Sequence, residues 1–129
     1  MSSRINYSSG SKWEDIVGYS RAVKVGNVVE VTGTVASDEE GVVVGEDDAY
    51  LQTKYIYQKI EAVLLRAGAE MKDVIRVRMF VTDISRWQEY GKAHSEFFQH
   101  IKPCNTMVEV RALIEPKFLI EIEATAIIE

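Results

Sequence analysis

Apolar residues along the chain recur at two alternating periods, and the switches between them outline the fold. Residues 21–25 and 28–35 are valine-rich runs separated by Gly26-Asn27. That pair can take the positive φ angles of a tight turn, so the pattern predicts a β-hairpin. Asp38-Glu39-Glu40-Gly41 predicts a second turn, with a short strand over 42–44. Over 48–67 the period becomes helical. Ala49, Thr53, Ile56, Ile60, Val63, Leu64 and Ala67 fall at spacings of three and four and form one stripe. Glu46, Asp47 and Asp48 lie at the positive end of the helix dipole, and Gly68 supplies the stop. Residues 8–12, Ser-Ser-Gly-Ser-Lys, are the one stretch that reads as flexible.

Residues 74–82 return to period two. Ile75, Val77, Met79 and Val81 are expected on one side, with Arg76, Arg78 and Phe80 on the other. Ser85-Arg86-Trp87-Gln88 resembles a capping box opening a second helix. Its stripe is Trp87, Tyr90, Gly91, His94, Phe97, Phe98 and Ile101, and Pro103 marks its end. Two closing strands, over 106–113 and 118–128, flank Glu115-Pro116-Lys117. Two amphipathic helices covering one face of a mixed sheet make an α+β two-layer domain.

The other sheet face is the unusual feature. In the last strand Ile120, Ile122, Ala124, Ala126 and Ile128 oppose Leu119, Glu121, Glu123, Thr125 and Ile127. In the strand before it Val108 and Val110 oppose Met107, Glu109, Arg111 and Leu113. The face away from the helices therefore mixes Arg76, Arg78, Glu109, Arg111, Glu121 and Glu123 with Phe80, Met107 and Leu119. Two readings stand side by side: a solvated face laced by ion pairs, or a subunit interface in a closed oligomer.

Composition narrows the class. The 129 residues fit one domain, 1–129, and the 47% apolar and 27% charged fractions are those of a soluble globular chain. A net charge of −5 gives no basic field for tracking a nucleic-acid backbone, so no nucleic-acid partner is expected. The lone Cys104 cannot form an intrachain disulfide, and a reducing, cytoplasmic setting is the default. The N-terminal stretch 1–18 has no apolar h-region, and no apolar run approaches the roughly 20 residues that span a bilayer, so no membrane partner is expected. No His, Cys or carboxylate cluster has metal-ligand spacing, so no metal or cofactor is expected.

Four segments in register carry a resemblance. They are Val17-Gly18-Tyr19-Ser20-Arg21-Ala22-Val23, Val31-Thr32-Gly33-Thr34, Val77-Arg78-Met79-Phe80-Val81-Thr82-Asp83, and Pro103-Cys104-Asn105-Thr106-Met107-Val108-Glu109-Val110 followed by Leu119-Ile120-Glu121-Ile122-Glu123-Ala124. Together they resemble the Rid family, also called YjgF or the L-PSP endoribonuclease family, over roughly 15–128. The resemblance implies a chorismate-mutase-like fold assembled as a homotrimer, with a central barrel of sheets and small-molecule ligands in the clefts between subunits. It also implies, in the best-understood branch, hydrolysis of enamines and imines to 2-oxo acids and ammonia without metal or cofactor.

The site residues follow from the same resemblance. Glu121 matches the acidic residue that orders water or relays a proton; its alternative role is a cross-strand ion pair with Arg76, Arg78 or Arg111. Tyr19 matches the tyrosine that closes the cleft, and Thr32 a hydroxyl-bearing position; each could equally be structural. Gly33 belongs with Thr32 on the substrate side. Asn105 stands where the imine-deaminase branch has an arginine that clamps the substrate carboxylate. Gly91 replaces an asparagine, Met107 a small or thiol-bearing residue, and Gly18 a proline. Arg21 and Arg111 are candidates for a substitute cation, with surface pairing as the plainer role. His94 reads as a satisfied core or interface histidine and His100 as a helix-end residue, and Cys104 has no partner histidine to make it a nucleophile. Three functions follow in order: an enamine or imine deaminase with an altered substrate, a non-catalytic trimer that binds a metabolite, and a ribonuclease.

Overall fold

Strict alternation in one strand sets the architecture. Ile120, Ile122, Ala124 and Ala126 are buried while the residues between them stay half-exposed, and this strand lies in the interior of the sheet. In the computed structural model, which describes residues 3–129, the elements run β1 (Arg4–Tyr7), α1 (Lys12–Val17), β2 (Ala22–Val25), β3 (Val28–Val35), α2 (Ala49–Arg66), β4 (Val74–Val81), α3 (Trp87–Phe98), β5 (Cys104–Glu109) and β6 (Ile120–Ile127). Met1 and Ser2 of the N-terminal stretch lie outside the described residues. The sheet order is β1-β2-β3-β6-β4-β5. Both β3 and β4 are antiparallel to β6, so they are parallel to each other, and β5 is parallel to β4. Parallel neighbours need crossovers. Helices α2 and α3 supply them, and both cover the same face: the α+β two-layer domain read from the periods.

The α2 stripe is buried as its spacing predicts, together with Gln52 and Tyr57. Asp48 caps the helix by accepting from the Leu51 amide, and Gly68, at φ 83°, follows its end. Between β2 and β3 only Gly26 of the turn pair has positive φ, at 58°, the pattern of a type II′ hairpin. Tyr57, His94, Phe97 and Phe98 form an aromatic cluster between α2 and α3, with ring centroids 4.9–5.6 Å apart. The Tyr57 hydroxyl and His94 Nδ1 are 2.6 Å apart, which satisfies both inside the cluster.

Several local expectations change. The stretch 42–44 forms a single bridge, Ser37 to Val43, rather than a strand. Residues before 12 are ordered by β1 and by the buried Glu14, which accepts hydrogen bonds from the Ser9 backbone and hydroxyl. Neither β1 nor α1 is long enough to show a period. Val74, not Ile75, faces the core, because a register shift between Val74 and Arg76 turns Ile75 outward to 47% exposure. The Ser85 cap does not form. Asp83 instead accepts from the Ser85 amide and hydroxyl at a short 3-10 turn, and Trp87, at the start of α3, is 56% exposed.

The last correction concerns β5. Its parallel ladder pairs Met107 with Met79 and Val108 with Phe80. Ladder partners share a face, so Met107 joins the helix side and packs against the core, as does Leu119 just before β6. Asn105 and Glu109 share that side by the same register, while Cys104, Thr106 and Val108 belong to the open face. The strand ends at Glu109, so Arg111 lies in the connection to β6 rather than on a sheet face.

That connection is held by one buried side chain. Gln52 Nε2 donates to Gly45 O and Lys117 O at 3.0 Å each, and its Oε1 accepts from the Leu119 amide at 2.9 Å. Leaving a buried polar group unpartnered costs about 1–3 kcal/mol. Gln52→Ala is therefore expected to lower unfolding free energy by about 2–4 kcal/mol, two or more such groups with partial water rescue. Urea denaturation measures this, and an unchanged midpoint would mean that the 110–119 connection is not held by Gln52.

Candidate functional site

The open face acquires its chemistry at a bulge. Val31 pairs with Ala124 and Thr34 with Ile122, so Thr32 and Gly33 together stand opposite Glu123. The extra residue turns Thr34 into the core, where its hydroxyl donates to Thr32 O at 2.8 Å. Glu121 pairs with Val35 on β3 and Phe80 on β4 and lies on the open face. Its carboxylate lies over Gly33: a Cβ built there would stand 2.0 Å from Glu121 Oε2. Only a glycine leaves that space. Burial raises the Glu121 pKa above its ordinary 4.5, the neighbouring Glu123 adds to this, and Arg21 opposes it.

Arg21 fixes the bulge from the other side. Its Nη1 donates to Gly33 O at 3.1 Å and to Thr34 Oγ1 at 3.2 Å. Its guanidinium lies 5.9 Å from the centre of the Tyr19 ring, and Nε is 3.9 Å from Glu14 Oε2. Burial would raise the Glu14 pKa, but hydrogen bonds from Ser9 and Ser8 and the charge of Arg21 outweigh it and hold the carboxyl low. Ser11 caps α1 and Gly18, at φ 94°, ends it, which delivers Tyr19 beside the sheet. Lys59 ties down the far end of β3 by donating to Val35 O at 2.7 Å and Ser37 O at 2.9 Å. Burial, aided by Arg21 and countered by Asp38, pushes its pKa down to about 8.

These elements surround an open concavity of about 770 Å³, whose lining includes Tyr19, Ser20, Thr32, Arg78 and Glu123. That volume is within the range of small-molecule sites. Of the residues read from the sequence, Tyr19, Thr32, Gly33, Arg21 and Glu121 thus form one neighbourhood. Asn105, Met107 and Gly91 do not join it within one chain. Asn105 and Met107 sit on β5 on the helix side by register, and Gly91 is on α3, which packs on α2. Sequence reading missed Glu14 as an anchor, for which no periodic signal exists. It placed Arg78 on the right face but not in the concavity. Among the described residues no three His, Cys, Asp or Glu side chains are placed to hold a metal ion, and no helix is long and apolar enough to cross a membrane.

The same sequence matches known proteins along almost its whole length. The sequence model described as Endoribonuclease L-PSP matches residues 9–128. A RutC family protein of Pyrococcus abyssi is 38% identical over 109 residues, 84% of each chain. A protein of Acinetobacter baylyi named 3-aminoacrylate deaminase RutC is 33% identical, covering 84% of this chain and 85% of its own. A crystal structure from Mycobacterium tuberculosis, described as a member of the YjgF/YER057c/UK114 family, is 48% identical and superposes with a TM-score of 0.89 over 98% of this chain and 100% of that one. One from Thermotoga maritima, described as a putative endoribonuclease, is 30% identical with a TM-score of 0.83, covering 96% and 92%. With its bulge, its motifs and these relatives in agreement, the chain belongs to the endoribonuclease L-PSP family, the YjgF or Rid group.

Proposed function

We propose that the chain hydrolyses a small enamine- or imine-type metabolite in clefts between the subunits of a homotrimer. The observation that carries this reading is the seating of the Glu121 carboxylate over Gly33, next to a concavity lined by Tyr19 and Thr32. Hydrolysis of an imine adds water across C=N to give a carbinolamine, which expels ammonia as the carbonyl forms. The water must lose a proton as it attacks, and the nitrogen must gain one before it leaves. A half-buried carboxylate with a raised pKa suits both transfers. The Tyr19 and Thr32 hydroxyls line the space where the carbinolamine oxygen and nitrogen would find hydrogen-bond partners. Support also comes from the Acinetobacter relative named as a deaminase of 3-aminoacrylate, itself an enamine.

The trimer reading rests on the open face. By ladder register Val23, Val25, Val28, Ile127, Phe80 and Val108 share it with Glu121, Glu123, Thr125, Arg76 and Arg78. Val25 is 49% exposed in the single chain and Val108 41%, apolar area that a neighbouring sheet would cover. A second reading, a trimer that binds a metabolite without turning it over, is favoured by Asn105. It is neutral where the imine-deaminase branch has a carboxylate-clamping arginine, and it shares no face with Glu121.

Glu121→Gln is expected to reduce ammonia release from a panel of imines by about a hundredfold or more while leaving the fold intact. Because the base must be ionised, activity of the parent protein should rise with pH through a limb centred above the 4.5 of an ordinary glutamate. A limb at or below that value, or undiminished release by the variant, would remove Glu121 from the chemistry. Gly33→Ala gives an independent check. The new methyl displaces only the flexible end of Glu121, so stability should change by about 1 kcal/mol or less, yet activity should fall at least about tenfold because the carboxylate is moved. Full activity in Gly33→Ala would show that the position of the carboxylate is immaterial.

A further inference from the structure

A substrate that carries a carboxylate needs a cation within reach of Glu121, and Asn105 does not provide one. The arginines near the bulge differ in what they have left to offer. Arg21 is committed to Gly33 O, Thr34 Oγ1 and the Tyr19 ring. Arg111 lies in the connection after β5, off the sheet. Arg78 is different. It projects from β4 on the open face, lines the same concavity as Tyr19 and Thr32, and is about half exposed. Its nearest acidic atom is Glu123 Oε1 at 3.9 Å, beyond hydrogen-bonding distance, and it makes no hydrogen bond among the described residues. Its fork of donors is therefore unspent.

Register supplies the geometry. In the β4–β6 ladder Arg78 stands opposite Glu123 and Phe80 opposite Glu121, which places Arg78 diagonal to Glu121. Diagonal neighbours on one face of an antiparallel pair are about 7–8 Å apart, within reach of a long side chain. A carboxylate gripped by Arg78 would thus hold the adjacent carbon, where a 2-imino acid reacts, within the span between the two residues. Charge in the concavity is mixed: Arg78 and Arg4 share its lining with Asp15, Glu30 and Glu123. Glu30 is partly engaged, since it accepts a hydrogen bond from the Thr125 hydroxyl. An acid-rich wall with one open guanidinium suits a ligand bearing a single carboxylate and a protonated imine, and disfavours a phosphorylated or dianionic one.

We propose that Arg78 is the carboxylate-binding, specificity-determining residue of this site, in place of the arginine absent at position 105, and that the ligand is a small 2-imino or 2-oxo monocarboxylic acid. The assignment rests on the deaminase-type site proposed above but is tested by binding rather than turnover. The probe is 2-oxobutyrate, a stable 2-oxo acid, compared with its neutral amide by calorimetric or NMR titration of the full chain. The parent protein should prefer the acid. Arg78→Gln should weaken acid binding at least about tenfold and leave amide binding unchanged, with Arg78→Lys intermediate, since an ammonium keeps the charge but loses the fork. Glu121→Gln should still bind the acid. If Arg78→Gln does not fold, the Arg78→Lys comparison carries the test. Equal binding of the acid by parent and Arg78 variants would overturn the assignment, as would a parent that binds no acid or does not prefer it. Acid binding that depends on Arg78 without any ammonia release would instead sustain the Arg78 assignment and sink the catalytic reading.

Discussion

Helices cover this six-stranded sheet on one side only, and most of the molecule's properties follow from that constraint. Two crossovers, β3 to β4 through α2 and β4 to β5 through α3, place both helices on the same face. Every second side chain of β6 is then core, and the others are left on the open face. Those outward positions carry Glu121, Glu123, Thr125 and Ile127 against Arg76, Arg78 and Phe80 of β4. A face of that composition is neither a dry core nor an ordinary wet surface. It can hold chemistry because its charged groups are only partly hydrated and its apolar groups want cover.

The bulge in β3 converts the face into a site. One extra residue turns Thr34 inward, leaves Thr32 and Gly33 opposite Glu123, and exposes Gly33 O to Arg21. The missing side chain at Gly33 admits the Glu121 carboxylate, and burial there shifts its protonation towards the range useful for moving protons. Structure and chemistry thus meet at a backbone irregularity, as they commonly do at sheet edges and active sites. Loop anchoring completes the arrangement: buried Glu14 holds α1 and, through Arg21, the approach of Tyr19, while Lys59 fastens the end of β3.

Much of the fold could be read from period alone. The α2 stripe, the β2–β3 hairpin and the alternation of β6 are long or regular enough for one face to dominate, and they appear as predicted. Short elements could not be read in this way: β1 and α1 have four and six residues, too few for a period to emerge. Ile75 and Met107 show a second limit. A bulge or a parallel partner shifts which side of a strand faces inward, and neither is encoded in the strand's own alternation. For the site, Glu121, Tyr19, Thr32, Gly33 and Arg21 come together as their motifs suggest. The β5 and α3 positions, Asn105, Met107 and Gly91, stay apart from them within one chain.

That separation makes assembly the central claim, because a cleft needs walls that a lone subunit lacks. Sedimentation equilibrium of the purified chain tests it most directly. Trimer closure predicts a single species at three times the 14.6 kDa chain mass, stable to dilution. A mass of 14.6 kDa at working concentrations would contradict it, and would mean that the open face with Glu121 meets solvent rather than a neighbouring sheet.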